Sequence, residues 1–379
     1  MFEKTKALCD SFLKMGVPGF DLRVYKDGQC VLRYMNGYAD RENKISMKGN
    51  ELYNIFSCSK PLTCVAAMQL CEKGMFRLED KLSYYLPEYT HMNIQTAQGI
   101  RKAKRSIRIH NLFEMTAGFS YDIDTPSLNQ LRIDSCGRCP TREVARALAE
   151  EPLKFEPGTR FLYSLGHDVL AALVEVVSGQ PFAAYVKEHI FTPLGMSHSD
   201  FLLPMEDYKN IIPLYCCTQN GEIHLNPRGT THVYRFGSDH ASGGAGCVST
   251  VEDYMKFLEA LREGEKLLKR ETVKLMTTQQ LNCEQLESFT MTTYGYGLGL
   301  RVPLEGSECT DFGWGGAAGA YLAVDIPHNF CIFYAQHVLR SPVMALRPRI
   351  YTTVLEDLTG IHVVNQPEFK NNTTVPITY

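Results

Sequence analysis

The stretch Tyr53-Asn54-Ile55-Phe56-Ser57-Cys58-Ser59-Lys60-Pro61-Leu62-Thr63 holds a serine and a lysine three residues apart. Apolar residues then recur at helical spacing up to Leu70, which predicts a buried helix with Ser57 in its first turn. Because positions three apart share a helix face, the Lys60 amine can reach the Ser57 hydroxyl. A lysine can take the serine proton once burial lowers its pKa from about 10.4. So short a pattern also occurs by chance, and nucleophilic catalysis therefore needs support from elsewhere in the chain.

The overall composition excludes several classes of protein. The chain has 379 residues and a net charge of −3, so its charge does not suggest binding to nucleic acid or to an anionic membrane. No apolar run approaches the roughly 20 residues of a membrane span. The first residues predict an amphipathic helix without the apolar core or cleavage site of a signal peptide. We expect a cytoplasmic protein without nucleic-acid or membrane partners; the sequence leaves the oligomeric state open.

The cysteines indicate free thiols. Their number, thirteen, is odd, and Cys64, Cys71 and Cys331 lie in apolar contexts, which fits buried thiols in a reducing compartment. The motif Cys136-Gly137-Arg138-Cys139 has neither a second CxxC nor a histidine pair nearby, so a zinc site would lack half its ligands. We interpret it as a loop and expect no metal.

The periodicity predicts one sheet built from both ends of the chain. Strands are predicted over 21–25, 29–35, 296–302, 320–325 and 330–335, with a hairpin turn at Asp27-Gly28 and another hairpin within 210–235. Helices are predicted over 1–15, from Ser57 to Glu72, and over 141–152, 166–178, 182–190, 249–263 and 342–358, the sixth with a capping box at Ser249 to Glu252. The fold class is therefore α/β (α+β). A single catalytic domain is expected over 1–365, with a mainly helical insertion at roughly 80–210 and a polar tail at 366–379.

Further stretches accompany Ser57-x-x-Lys60 in a fixed order. They are Leu112-Phe113-Glu114-Met115-Thr116-Ala117-Gly118-Phe119, Gly158-Thr159-Arg160-Phe161-Leu162-Tyr163-Ser164-Leu165-Gly166-His167, Pro193-Leu194-Gly195-Met196, Gly243-Gly244-Ala245-Gly246-Cys247-Val248 and Phe312-Gly313-Trp314-Gly315-Gly316-Ala317-Ala318-Gly319. In this order and spacing, over roughly residues 15–360, the chain resembles serine β-lactamase-fold hydrolases, in particular the class C branch. The resemblance implies a β-lactamase/transpeptidase-like fold, with an antiparallel sheet flanked by helices.

Two departures from the β-lactamase pattern bear on the substrate. The tyrosine motif is Tyr163-Ser164-Leu165 where class C enzymes have Tyr-x-Asn, and Trp314-Gly315-Gly316 stands where they have Lys-Thr-Gly. Both changes resemble family VIII carboxylesterases. Because Trp314 cannot pair with the carboxylate of a β-lactam and presents an apolar surface instead, the motif favours neutral esters.

The resemblance implies a role for each site residue. Ser57 is the nucleophile, Lys60 and Tyr163 take its proton as one coupled pair, and the backbone N–H groups of Ser57 and Ala317 stabilise the oxyanion. The candidate substrate-binding residues are Trp314, Gly315, Gly316, Leu165 and Tyr121. The expected activity is hydrolysis of a small-molecule carboxylic ester through an acyl-enzyme, without a metal or organic cofactor.

Three alternatives remain open at this stage. The same site would suit a β-lactamase, an amidase or a D-amino-acid peptidase. A catalytically inactive binding module is a different class of function, although the retained Ser57, Lys60 and Tyr163 speak against it. A Ser-His-Asp hydrolase of the α/β type would need a GxSxG motif, which the sequence lacks.

Overall fold

An eight-stranded antiparallel sheet forms the centre of the molecule in the computed structural model, which describes residues 1–230 and 233–370. The strand order from one edge to the other is β10-β11-β12-β13-β14-β1-β2-β3. The strands of the chain are β1 Gly19–Lys26, β2 Gln29–Asp40, β3 Ile45–Ser46, β4 Tyr53–Asn54, β5 Asn93–Thr96, β6 Gly99–Lys102, β7 Tyr215–Cys217, β8 Ile223–Leu225, β9 Val248–Ser249, β10 Tyr294–Tyr296, β11 Arg301–Pro303, β12 Phe312–Gly315, β13 Tyr321–Asp325, β14 Phe330–Ala335 and β15 Val338–Leu339.

The two ends of the chain meet in this sheet, as the sequence predicted. Strand β1 pairs with β2 on one side and with β14 on the other, in register from Asp21 opposite Ala335. The predicted hairpin turn is confirmed, because Asp27 and Gly28 both have positive φ, at 53° and 78°, as a two-residue turn of this hand requires. The fold therefore depends on contacts between residues some 300 positions apart.

Both faces of the sheet are covered by helices. On one face, the ring of Phe333 in β14 stacks on Tyr254, with centroids 4.2 Å apart. On the other face, the next residue, Tyr334, meets Phe12 edge to face. Alternate side chains of a strand point to opposite faces, and here both sets are buried.

Helices fill most of the chain between the terminal strands. The α-helices are α1 Glu3–Lys14, α2 Ser59–Glu72, α3 Ile109–Phe113, α4 Pro126–Asp134, α5 Thr141–Leu148, α6 Gly166–Ser178, α7 Phe182–Val186, α8 Thr192–Leu194, α9 Val251–Glu263, α10 Arg270–Met276, α11 Cys283–Glu287 and α12 Arg349–Thr359. Short 3₁₀ segments span Phe56–Cys58, Leu82–Tyr84, Pro87–Thr90, Met205–Asn210 and Met344–Leu346, and a π-helical turn spans Lys187–Phe191. Helix α2 packs beside α6 at the centre of this layer, and its N-terminus meets the sheet at β12.

Several predicted boundaries were wrong. The strand predicted over 296–302 is a hairpin of β10 and β11, because Gly299 takes a positive φ of 86° and turns the chain. The helix predicted over 342–358 begins only at Arg349, with Pro348 as its N-cap, and the residues before it form the separate 3₁₀ segment Met344–Leu346. Helix 141–152 ends at Leu148, and the helix predicted over 182–190 passes into the π-helical turn after Val186.

Two other predictions are corrected locally. The cap of α9 is Thr250, whose hydroxyl accepts the Asp253 N–H at 3.1 Å, while Ser249 belongs to β9. The hairpin predicted within 210–235 is confirmed only as the short pair β7 and β8, and residues 231–232 lie outside the described residues.

The predicted polar tail is only partly described. Residues 366–370 still pair with the body of the protein, since the Lys370 N–H donates to the Thr290 carbonyl at 2.7 Å. The remaining residues, 371–379, lie outside the described part.

Within residues 1–230 and 233–370, no single helix is long and apolar enough to cross a membrane. The pair Gly166–Ser178 and Phe182–Leu194 reaches that length and composition only when joined across a bend of 79°.

Candidate active site

Ser57 lies in the 3₁₀ turn that leads into α2, one turn earlier than the α-helix itself. The residue before it, Phe56, has a φ of +49°, a left-handed conformation that is unfavourable for a bulky side chain. Neighbouring segments hold the turn in place, since the Ile55 N–H donates to the Cys247 carbonyl at 3.1 Å and the Tyr254 hydroxyl to the Cys58 carbonyl at 2.5 Å. Ser57 therefore lies in a turn that hydrogen bonds to two other segments hold in place.

Lys60 is fully buried, and its amine reaches Ser57 as the spacing predicted. Its Nζ lies 3.3 Å from Ser57 Oγ, 2.8 Å from the Tyr121 hydroxyl and 2.8 Å from the Gly244 carbonyl. Burial lowers the pKa of Lys60 to about 7, although the nearby Asp168 carboxylate works in the opposite direction. Near neutral pH a large share of the enzyme therefore carries a neutral amine beside the serine.

The tyrosine that bonds to Lys60 is Tyr121 rather than Tyr163. Lys60 Nζ lies over the face of the Tyr163 ring, 4.5 Å from its centroid, while the Tyr163 hydroxyl accepts the Trp314 indole N–H at 3.0 Å. The sequence predicts Lys60 and Tyr163 as a coupled pair. In the structure Lys60 instead contacts two phenols, those of Tyr121 and Tyr163. Tyr121 and Tyr163 stack on each other with centroids 5.2 Å apart.

Both phenols are neutral at physiological pH. Burial raises the pKa of Tyr163 above its usual value near 10, and hydrogen bonds with Ser57 and Trp314 offset only part of this rise. Burial also raises the pKa of Tyr121, with the adjacent Tyr163 adding to the effect. Both tyrosines can therefore donate a proton in the site, and neither carries a lasting negative charge.

The glycine-rich strand end lies against the nucleophile turn. A Cβ on Gly316 would come within 2.3 Å of the Ile55 carbonyl, so only glycine allows this approach. The turn that follows is closed by the Gly316 N–H donating to the Ala320 carbonyl at 2.7 Å, and Arg347 Nη1 donates to the carbonyls of Gly316 and Ala320. Ala317, the residue predicted to supply the second oxyanion-hole N–H, follows in the same apolar cluster as Phe56.

An apolar wall of buried side chains surrounds Ala317. Its members are packed against one another and comprise Phe56, Leu214, Tyr234, Ala245, Ala317, Ala318 and Leu339, with Tyr121, Ile123, Cys216 and Val233 partly buried beside them. The side chains of Ser57, Tyr121, Tyr163 and Trp314 are only partly buried, so solvent reaches them.

The other predicted substrate-binding residues lie in different places. Gly315 is half-buried at the end of β12, next to Trp314. Leu165 is 1% exposed and packs in the main core, where it precedes α6, so the structure does not bring it to the opening. Sequence reasoning also missed Gly244 and Asp168 as neighbours of Lys60, and Tyr234 as a neighbour of Tyr121. The Gly243-Gly244 pair was the one available signal.

The described part of the chain contains no group of three His, Cys, Asp or Glu side chains placed to hold a metal ion. All thirteen cysteines lie within it and are free thiols. The side chains that the structure brings together at this site are those of Ser57, Lys60, Tyr121 and Tyr163.

Comparisons with known proteins assign the chain to a family. The model of the Beta-lactamase family matches residues 6–352. Esterase EstB of Burkholderia gladioli is 30% identical over 63% of this chain and 64% of its own length. A putative D-alanyl-D-alanine carboxypeptidase of Escherichia coli K12 is 26% identical over 87% of this chain and 80% of its own.

A solved structure shares the fold. EstCE1, a hydrolase with promiscuous acyltransferase activity, superposes with a TM-score of 0.78 at 24% identity and covers 93% of this chain and 97% of its own. The fold predicted from the motif order, antiparallel sheet and helical insertion included, is thereby confirmed.

Proposed function

The chain belongs to the Beta-lactamase family and is a serine hydrolase of that fold, and we propose that its substrates are small, neutral carboxylic esters. The observation that carries the proposal is the buried Lys60 amine, 3.3 Å from Ser57 Oγ and with a pKa of about 7, which is surrounded by the aromatic rings of Tyr121, Tyr163 and Trp314. A neutral amine activates the serine, and the aromatic rings favour an uncharged substrate.

Acylation begins with transfer of the Ser57 proton to Lys60. The serine oxygen then bonds to the ester carbonyl carbon, and the negative charge passes to the carbonyl oxygen. The backbone N–H groups of Ser57 and Ala317 receive this oxyanion, and such preorganised donors are worth about 2.7–4 kcal/mol each in comparable enzymes. When the carbon–oxygen bond to the alcohol breaks, a neighbouring phenol protonates the leaving alkoxide and is itself reprotonated by Lys60.

The two phenols divide this work by position. Tyr121 is hydrogen-bonded to Lys60 at 2.8 Å and so connects the amine to the cleft. Tyr163 is held by the Trp314 indole and lies under the opening. In the second half-reaction a water molecule takes the place of the alcohol and attacks the carbonyl carbon of the acyl-enzyme. It gives its proton to the same proton-transfer unit of Lys60 and phenol, and the acid leaves as its bond to Ser57 breaks.

The case for esters over β-lactams rests on the charges near the opening. Trp314 uses its N–H on Tyr163 and has no positive charge to offer to a substrate carboxylate. Arg347 donates to backbone carbonyls behind the turn at Gly316 rather than to the cleft. The apolar wall next to Ala317 accepts an acyl chain without leaving a polar group unpaired. The name of the relative esterase EstB supports the same choice.

Amide hydrolysis is the second candidate, favoured by the relatives named as carboxypeptidases. The deciding measurement compares kcat/KM for p-nitrophenyl butyrate, nitrocefin and a D-alanyl-D-alanine peptide on one preparation, with Ser57→Ala as the control. We expect the ester to exceed nitrocefin by at least about tenfold, since a lost charge-assisted hydrogen bond costs roughly 1.5–3 kcal/mol. Equal or faster turnover of nitrocefin or the peptide would replace the ester proposal.

A further inference from the structure

A buried carboxylate lies behind Lys60, on the helix that follows the tyrosine motif. Asp168 in the first turn of α6 is 2% exposed, and its Oδ1 accepts the Ser242 hydroxyl at 2.7 Å. Its Oδ2 faces the backbone of Gly244 without a hydrogen bond of ordinary geometry. Burying a carboxylate is costly unless its charge is balanced, so its place beside the catalytic amine calls for an explanation.

Gly244 is the point where the carboxylate, the amine and the phenol converge. A Cβ placed on Gly244 would lie 2.8 Å from Asp168 Oδ2, 3.5 Å from Lys60 Nζ and 3.5 Å from the Tyr121 oxygen. Lys60 also donates to the Gly244 carbonyl at 2.8 Å. The glycine thus lets a carboxylate approach the amine from behind without forming a direct ion pair.

Most of the other titratable side chains around Gly244 carry no charge near neutral pH. Burial raises the pKa of the Cys58 thiol to about 12 and that of Cys64 still further, and it lowers the pKa of His167 to about 3. Burial likewise raises the pKa of the tyrosines that face the site, which are Tyr121, Tyr163 and Tyr234.

The remaining neighbour, His240, is held in one tautomer. Its Nδ1 accepts the Phe236 N–H at 3.2 Å, so the ring proton is on Nε2, which lies 3.6 Å from Asp168 Oδ1. The charges that face each other across Gly244 are therefore those of Asp168 and Lys60.

We propose that Asp168 is a positioning residue whose carboxylate holds the Lys60 side chain against Gly244 and Tyr121 and thereby sets the pH at which Ser57 becomes nucleophilic. This inference rests on the proposed function in one respect only: Lys60 must accept the Ser57 proton. It does not depend on whether the substrate is an ester or an amide.

The sign of the effect follows from two opposing influences on Lys60. Burial favours the neutral amine, the Asp168 carboxylate favours the ammonium, and together they bring the pKa of Lys60 to about 7. Burial raises the pKa of Asp168 itself to about 6, so most of the carboxylate is ionised at pH 7, where the amine titrates. Removing the carboxylate leaves burial unopposed, and the pKa of Lys60 then falls further.

The test measures how fast a fluorophosphonate labels Ser57 between pH 4.5 and 9. In labelling, the serine oxygen bonds to phosphorus, fluoride leaves and the proton passes to Lys60, so the rate reports serine activation independently of the natural substrate. We expect Asp168→Asn to move the acidic limb of the rate to lower pH by roughly one unit, which is roughly a fivefold gain at pH 6 relative to the plateau. The plateau itself should fall, because Lys60 loses its orientation.

Two control variants accompany this measurement. Asp168→Glu keeps the charge and should restore the limb to its wild-type position. Asp253→Asn removes a carboxylate of equal burial on α9, remote from Lys60, and should leave the limb unchanged.

A lower plateau with an unmoved limb in Asp168→Asn would mean a purely structural role and would overturn the inference. If Asp168→Asn does not fold, Asp168→Ser is tested in its place. Failure of both variants to fold would likewise assign Asp168 to structure alone. Failure of the proposed function is distinguishable, because wild-type protein would then resist labelling or Ser57→Ala would still react.

Discussion

Two buried cation–carboxylate pairs in this molecule have opposite designs. Arg301 and Asp311 meet directly, with Arg301 Nη2 2.6 Å from Asp311 Oδ2, and tyrosine hydroxyls complete the group. Burial works against the Arg301 charge, but Asp311, Tyr321 and Tyr294 together outweigh it and raise the pKa of Arg301. Lys60 and Asp168 are instead separated by the backbone of Gly244, and the pKa of Lys60 falls to about 7.

The difference shows how one fold uses buried charge for two purposes. A direct pair keeps the guanidinium charged and can hold strands together, so the Arg301 side chain cannot act as a base near neutral pH. A carboxylate that is separated from the lysine by the backbone of Gly244 offsets only part of the free-energy cost of burying the ammonium. That amine therefore titrates in the range where a general base is useful.

The largest expected effect is a loss of activity, and it concerns Lys60 of the separated pair rather than Arg301 of the direct pair. Lys60→Met should lower kcat for p-nitrophenyl butyrate by about 10²–10⁴-fold, because the proton acceptor for Ser57 is lost. Steady-state kinetics with active-site titration measures this. The folded fraction, followed by circular dichroism, should stay at the wild-type level.

Variants of Tyr121 and Tyr163 test whether the two phenols act in one unit with Lys60. Tyr121→Phe and Tyr163→Phe should each reduce kcat, and either combined with Lys60→Met should add little, since groups in one proton-transfer unit are strongly non-additive. Additive losses would show that a phenol serves a separate step.

The second prediction concerns stability and the direct pair. Arg301→Met should lower the free energy of unfolding by about 3–5 kcal/mol, because the Asp311 carboxylate is left buried and uncompensated. Urea denaturation measures the loss, while kcat per folded molecule should change little. A variant as stable as wild type but inactive would reverse the roles assigned to the two pairs.

The third prediction introduces a charge at the opening of the site. Trp314→Lys should raise kcat/KM for nitrocefin relative to p-nitrophenyl butyrate by about 10–100-fold, because a charge-assisted hydrogen bond to the lactam carboxylate is worth roughly 1.5–3 kcal/mol. Trp314→Phe, which loses the indole N–H without gaining a charge, is the control. If both variants shift the ratio equally, charge is not the cause.

The smallest effect is the dependence of stability on pH. The pKa of Lys60 is depressed from its usual value near 10.5 to about 7, so the unfolded chain binds one more proton than the folded chain between these values. The contribution of Lys60 to the free energy of unfolding therefore rises with pH from about 7 to 10.5. The stability advantage of Lys60→Met over wild type should be largest below pH 7 and should shrink towards pH 10. If the difference in free energy of unfolding between Lys60→Met and wild type does not change with pH, the charge of Lys60 is not its cause.

The sequence allowed the nucleophile and its base to be predicted together because they are close along the chain. Ser57 and Lys60 are three residues apart at the start of an apolar helical pattern, and helical geometry alone brings their side chains together. Trp314 could be predicted as a site residue because its motif order resembles that of known hydrolases, and its contact with Tyr163 agrees with that position.

The partner of Lys60 could not be predicted in the same way. The sequence suggested Tyr163, which lies in a recognisable motif, but the phenol that bonds to the amine is Tyr121, in a loop that carries no motif of its own. Which of two neighbouring phenols points at an amine depends on ring stacking and on the Trp314 bond, and these are contacts between distant parts of the chain.

The sequence by itself determined the elements, the order of motifs and the residue types available for chemistry, because periodicity, turn residues and local spacing act over a few positions. Tertiary structure alone decided that Gly244 separates Asp168 from Lys60 and that Leu165 packs in the core. It also brought Gly316 against the nucleophile turn. The side chains that bury these residues and the charges beside them belong to segments tens to hundreds of residues apart. The pKa of an amine depends on this three-dimensional environment rather than on its neighbours in sequence.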